Sequence, residues 1–202
     1  MIGIPAALLV FGAGEWAIHK HVLHGLGRKR GGLYSFHYHD HHQAARRNGG
    51  YDPAYEGPPW SSGTQWREAW QLAVIGVLHV PLFPLAPFYT TTFWYCLWRY
   101  RRDHRRAHLD PAWARDHLPH HYDHHMGDQD KNFGVVWSWF DVVMKTREVF
   151  VGTPKERALH DKHAERAATA SAGAMLRAQR RNPVRRWIAA AVRRAEELRA
   201  TR

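Results

Sequence analysis

The chain has 202 residues, 45 % of them apolar, which suits one domain with an extension. Its net charge of +11 is unevenly spread: Arg166 to Arg202 holds ten Arg against Glu196 and Glu197, so the basicity describes a tail and not the body. Cys96 stands alone, which excludes an intramolecular disulfide and disfavours a thiolate-bound metal, and no basic region precedes the apolar N-terminus, so a cleavable signal peptide is not expected.

Residues 1–18 are apolar apart from Glu15 and lead into His19-Lys20-His21-Val22-Leu23-His24. A membrane crossing takes about 20 apolar residues, so this stretch is just adequate for one. Arg28, Lys29, Arg30, Arg46 and Arg47 follow, with His37-Tyr38-His39-Asp40-His41-His42 among them. Residues 43–65 are rich in Gly, Pro, Ser and Asn and read as loop. From about Ala69 to Trp98 runs a second apolar stretch, too long for one crossing and short of the roughly 40 residues that two would need. Pro81, Pro84 and Pro87 interrupt its middle. The stretch therefore predicts a helical hairpin that dips into the bilayer and returns.

Arg99, Arg101, Arg102, Arg105 and Arg106 come next, interleaved with His104 and His108. Positive segments stay cytoplasmic, so a chain that enters and leaves on one side presents both histidine regions to the cytoplasm. His120-His121-Tyr122-Asp123-His124-His125 follows, then a compact apolar-aromatic stretch from Asn132 to Thr146. The tail from Ala164 is rich in Ala and Arg, and Arg185 to Arg199 reads as a basic amphipathic helix suited to acidic headgroups, or equally as a solvated tail. It matches no nucleic-acid-binding motif, and nucleic acid is not an expected partner. The expected fold is all-α: a membrane-embedded helical body (1–155) with a histidine-rich, di-metal helical cap on the cytoplasmic side, and a basic tail (156–202). A soluble helical protein with one long buried helix is the alternative that the same periodicity allows.

Seventeen histidines exceed what one metal ion can use, and two ions are the natural reading. On an α-helix, residues four apart project from one face. That relation holds for His37 and His41, His104 and His108, His120 and His124, and His121 and His125. Adjacent pairs such as His41-His42 and His124-His125 diverge by about 100°, so one ring can serve one ion and its neighbour a second. His19 and His24 are five apart, about 140° around an α-helix, and meet on one ion only near a helix end or through long rotamers. The Glu-x-x-His pairs of a carboxylate-bridged di-iron bundle are absent. Asp40, Asp123 or Glu15 could instead orient a ring through its second nitrogen. His79, alone in the apolar hairpin, reads as structural; His160 and His163 read as solvated; His21, His39 and His117 are weak candidates.

The order His19-x4-His24, His37-x3-His41-His42, His104-x3-His108 and His121-x2-His124-His125 resembles the fatty acid hydroxylase superfamily, which includes sterol desaturases, C-4 methyl oxidases, fatty acid hydroxylases and, more distantly, carotenoid hydroxylases. Glu15-Trp16-Ala17-Ile18-His19 through His24-Gly25 looks like that family's opening helix. Asn132-Phe133-Gly134-Val135, Trp139-Phe140-Asp141 and Thr146 look like its closing pattern. The resemblance spans roughly residues 10–150. Tyr38 departs from the commoner H-x2-HH spacing, and Met144-Lys145-Thr146 stands where many members have Phe-Gly-Thr.

The resemblance implies that His19, His24, His37, His41, His42, His104, His108, His121, His124 and His125 ligate two non-haem iron ions, for which zinc could substitute in a purified sample. His120, His39, Glu15, Asp40 and Asp123 would be supporting or additional ligands. It further implies hydroxylation or desaturation of a lipid, sterol or isoprenoid by O2, with two electrons from cytochrome b5 or ferredoxin and a reductase. The competing reading is a non-catalytic, histidine-rich metal-binding membrane protein.

Overall fold

A computed structural model describes residues 2–181 and, beyond them, Trp187, Ala191, Arg194, Glu196, Glu197 and Arg199. The predicted basic helix over 185–199 lies largely outside the described residues. Every regular element described is helical, with no strand among the described residues. The chain divides into two compact units, Met1–Glu156 and Arg157–Arg202. The long helix α8 (Pro154–Arg181) supplies most of what is described of the second unit.

The first unit is built on two helices that pack along each other, α1 (Gly3–Ala17) and α4 (Pro87–Leu109). Their contact is apolar: Ala7 and Phe11 meet Phe93, Cys96, Leu97 and Tyr100, closed by Val135 and Val136. Phe11 meets Phe93 edge-on at 5.7 Å, the arrangement that ring quadrupoles favour. Gly3 lets the two backbones come this close, and Gly12 leaves room for a neighbouring indole. A Cβ on Gly3 would lie 2.8 Å from the Tyr89 nitrogen on α4, and one on Gly12 would lie 2.6 Å from the indole of Trp139 on α7 (Trp139–Val143).

The predicted hairpin is present as α3 (Gly63–Leu78), a short 3₁₀ turn (Val80–Leu82) and α4. Ser62 caps α3 by accepting from Gln65 N, and Pro87 occupies the first turn of α4, where a missing N–H costs nothing. Trp94 Nε1 donates to Gly76 O at 3.0 Å and Phe83 stacks on Trp94, pinning the two arms together. Both helices extend past the apolar stretch. At 23 residues, α4 carries the apolar arm and the His104–His108 pair on one rod of about 34 Å.

No helix among the described residues is long and apolar enough to cross a membrane. Within the N-terminal stretch, α1 is 15 residues long, about 22 Å against a hydrocarbon core of about 30 Å. It stops because the backbone changes its winding at Ile18, for a reason that lies in the histidines.

After α6 (Pro119–Met126) the chain forms a strap from Gly127 to Ser138 and turns through α7. Asp141 holds the strap, accepting from Phe133 N, Gly134 N and Thr146 Oγ1 at 2.7–2.8 Å. Thr146 Oγ1 in turn accepts from Trp16 Nε1 on α1 at 2.9 Å. The closing motif thus ties strap, turn and opening helix into one knot. Lys145, in that turn, has φ +56°, the left-handed region that disfavours a side chain. Lys145→Gly is expected to raise stability by about 1 kcal/mol, since an L residue there pays a steric penalty of that order that glycine escapes. A higher melting temperature of the variant in thermal unfolding checks it.

Candidate metal centre

The winding changes at the two places where histidines stand five apart. Ile18–Leu23 and Phe36–His41 are π-helical, with His24 N donating to His19 O at 2.8 Å and His42 N to His37 O. A π-turn closes i to i+5 and is rare outside functional sites. It places a five-residue pair one above the other, which an α-helix does for four. His19 with His24 and His37 with His42 are thereby aligned, whereas the α-helical spacing expected from the sequence pairs His37 with His41. Conversely, His104 with His108 on α4 and His121 with His125 on α6 keep ordinary α-helical spacing.

The ten rings form two buried groups. In the first, one ligand atom from each of His19, His24, His37, His42 and His124 lies within 4.8 Å of every other. In the second the same holds for His41, His104, His108 and His125, and His121 joins with its Nε2 3.1 Å from His108 Nε2. Each group takes two pairs of one spacing and a fifth ring, and holds one member of each adjacent dyad. Of His41-His42, His42 goes to the first group and His41 to the second; His124-His125 divides the same way. His42 and His125 stack at 4.2 Å between the groups.

Metal fits these nitrogens better than hydrogen does. The Nε2 atoms of His24, His42 and His124 form a triangle with sides of 3.0, 3.1 and 3.2 Å. A ring nitrogen is either a donor or an acceptor, so three in mutual contact cannot all be satisfied by one another. Nitrogens about 2.1 Å from one ion lie about 3.0 Å apart at right angles and about 3.4 Å apart at tetrahedral angles. The observed sides fall near the first value, as a five-ligand set requires. His41 Nε2, His104 Nε2 and both nitrogens of His125 are buried without any partner.

The far side of several rings is held by acceptors, which places the proton on Nδ1 and leaves Nε2 free to ligate. In the first group these are strap carbonyls: His19 Nδ1 donates to Phe133 O (2.5 Å) and His124 Nδ1 to Lys131 O (2.6 Å). In the second group they are chiefly carboxylates. His41 Nδ1 donates to Asp52 (2.7 Å), His104 Nδ1 to Glu68 (2.8 Å), and His108 Nδ1 to Gly50 O (3.0 Å). Glu68 also accepts from Tyr55 Oη and from Arg101. Burial alone would push its carboxyl up, but His104 and Arg101 hold it down at about 2.

Asp52 and Glu68 are thus the ring-orienting acids, and the three named from sequence do other work. Glu15 accepts from Val136 N at 3.2 Å. Asp123 is saturated by Phe150 N, Val151 N and Arg147. Asp40 is exposed. His120 meets Val135 O and His39 meets Arg28 O, both outside the two groups. His79 Nδ1 donates to Ile75 O of its own helix at 2.8 Å, and the ring stacks on Phe93. His117 pairs with Trp113 O, and His21 packs against Trp16. Asp52 lies 11 residues from its ring and Glu68 36. The one trace of Glu68 in the sequence is an acid on the first turns of an otherwise apolar-leaning helix.

A cavity of about 270 Å³ is lined in part by His19 and His37 of the first group. A single water needs roughly 10–15 Å³ by this measure, so the space suits a chain of atoms. Its walls run from Ile75, His79 and Phe93 near the hairpin turn to His19 and His37.

The chain matches no family model, no curated protein and no solved structure. What fold and site define is an all-helical protein whose two buried histidine groups are positioned to hold metal ions.

Burial drives the histidines toward the neutral form: His19 falls to about 3 and His24 to about 2, with His41, His42, His108, His121, His124 and His125 also lowered. A base with its folded pKa lowered leaves the unfolded chain binding more protons below about 6.5, so stability falls as pH drops through that value. Each such ring costs about 1.4 kcal/mol per pH unit. Thermal melts of the metal-free protein are expected to show a steep loss between about pH 6.5 and 4; a flat profile there would contradict the buried neutral cluster. Metal analysis is expected to give two ions per chain, with His24→Ala or His108→Ala each losing one and His79→Ala losing none.

Proposed function

We propose that the protein is a membrane-bound non-haem di-iron oxygenase that hydroxylates, or desaturates, a C–H bond of a lipid, sterol or isoprenoid. The observation that carries this reading is the apolar cavity ending on two ligands of one all-histidine group. Two iron ions held there would supply O2 activation: hydroxylation would place one oxygen atom in the substrate and the other in water, and desaturation would release both as water, each with two protons and two external electrons. The chain's own residues contribute by holding neutral ligands, by excluding water from the end of the cavity, and by orienting the rings through Asp52, Glu68 and the strap carbonyls. The electrons are assigned to cytochrome b5 or ferredoxin with a reductase.

Membrane attachment through the hairpin is part of the proposal. Its outward face exposes Trp66, Trp70, Val77, Leu78, Leu85, Phe88 and Trp98, with Leu85 84 % exposed, and so large a contiguous apolar surface marks an interaction site. Trp and Tyr suit the headgroup boundary, and Arg99, Arg102 and Arg105 along α4 suit its cytoplasmic side. The hairpin would dip and return without crossing, the centre facing the cytoplasm and the cavity open to a lipid chain.

Lipid and carotenoid profiling by mass spectrometry, after expression with a reductase system, tests the reading. A product heavier by one oxygen, or lighter by two hydrogens, that disappears in His124→Ala is the expected result. Two bound ions with no O2-dependent product would instead identify a metal-binding membrane protein without turnover.

A further inference from the structure

The two histidine groups differ in what stands behind their rings and in which of them the cavity reaches. In the second, the carboxylates of Asp52 and Glu68 accept from His41 Nδ1 and His104 Nδ1 at 2.7 and 2.8 Å, and all four side chains are buried. Arg101 offsets part of the charge of Glu68, while Asp52 is left to face His41. In the first group the acceptors are the neutral carbonyls of Phe133 and Lys131, and His24 Nδ1 and His42 Nδ1 are buried without a partner. His19 and His37 of the first group line the cavity. On the second group's side the backing acid Glu68 reaches the wall, but none of the five rings does.

We infer that the two positions are unequal: the second group retains its ion, the first exchanges its ion, and Asp52 and Glu68 are the positioning residues that set the difference. A divalent ion among neutral imidazoles alone is a buried charge with nothing to offset it, which is costly. A carboxylate behind a ring brings negative charge near the ion, raises the basicity of the ligating nitrogen and holds the ring in the tautomer that ligates. Neither acid can be exchanged for its amide without loss. Asp52 accepts at Oδ1 from Ala54 N and at Oδ2 from His41; Glu68 accepts at Oε1 from Arg101 and at Oε2 from His104 and Tyr55. Each needs two accepting oxygens, and an amide has one. The inference rests on two bound ions and not on any reaction with O2.

Zinc release into excess EDTA, with the metal left on the protein measured by mass spectrometry, tests this. The fully loaded wild type is expected to lose one zinc faster than the other, by about tenfold or more. His24→Ala, which keeps the second group, should show only the slow phase, and His108→Ala only the fast one. Asp52→Asn and Glu68→Gln should each speed the slow phase about 10- to 100-fold, the usual effect of removing such a partner, and leave the fast phase unchanged. That unchanged phase in the same molecule separates a positioning role from general damage to the fold. Equal release of both ions or a slow phase that survives in His108→Ala overturns the inference. So do acid variants that leave the slow phase as it was or speed both phases alike.

Labelling of the wild type with diethyl pyrocarbonate, which modifies free imidazoles, gives a second measurement that needs no variant. After removal of one zinc, label located by peptide mass spectrometry is expected to rise at His19 and His37 and not at His104 and His108. A rise at His104 or His108, or none at His19 and His37, overturns the inference even if the variants fail to fold. A fully loaded chain with fewer than two zinc ions would sink the two-ion reading and this inference with it. Unequal retention without any O2-dependent product would sink the oxygenase reading alone, and turnover with equal release would sink this one alone.

Discussion

Ten imidazoles brought to two points, nine of them driven toward the neutral form by burial, is the constraint from which the rest of the first unit follows. Chain spacing and helix winding have to agree for the rings to meet. Pairs five apart meet on π-turns and supply one group; pairs four apart meet on α-helices and supply the other. The wider turn is the less stable winding, and it persists where surrounding contacts over-determine it. Here those contacts are the knot of Trp16, Asp141 and Thr146 and the strap carbonyl on His19. The closing motif, far along the chain, is thus what holds the opening helix in its altered form.

The same constraint shapes the energetics. The interior has two parts: an apolar contact between α1 and α4, and beside it a polar core of histidine rings with several unsatisfied nitrogens. Buried polar atoms without partners cost roughly 1–3 kcal/mol each, so the metal-free fold carries a standing penalty at its centre. Ions held at His41 Nε2, His104 Nε2 and one nitrogen of His125 would remove part of it, and that part of the binding energy would become folding free energy. The two groups differ in how they are backed. Carboxylates behind His41 and His104 raise the basicity of those ligands, whereas the first group has neutral carbonyls. The group nearer the cavity is therefore the less electron-rich of the two.

Much of this is legible in the sequence, and the failures have physical causes. The prolines at 81, 84 and 87 locate the hairpin turn because they interrupt any continuous helix. The divergence of adjacent side chains correctly divides His41 from His42 and His124 from His125. Assuming 3.6 residues per turn throughout is what mispaired His37 with His41 and left His19 and His24 apparently 140° apart. Neighbouring acids were favoured as ring partners because they are close in sequence. Asp52 and Glu68 win because a loop and a second helix bring them close in space, where Asp40 points to solvent and Asp123 is spent on backbone amides. An apolar run of about 18 residues suggested a crossing, but the π-turn at Ile18 ends the α-helix before that length is reached.

The divided dyads have a consequence for how the two groups respond to motion. Most composite sites depend on several helices keeping their distance, and small shifts in packing change the spacing of what they hold. Here each group shares a peptide bond with the other, twice over, through residues whose Cα atoms are about 3.8 Å apart. The span between the two positions is therefore set mainly by covalent geometry. Helices can breathe around this centre, and the interval between the groups stays tied to that of two adjacent links in one chain.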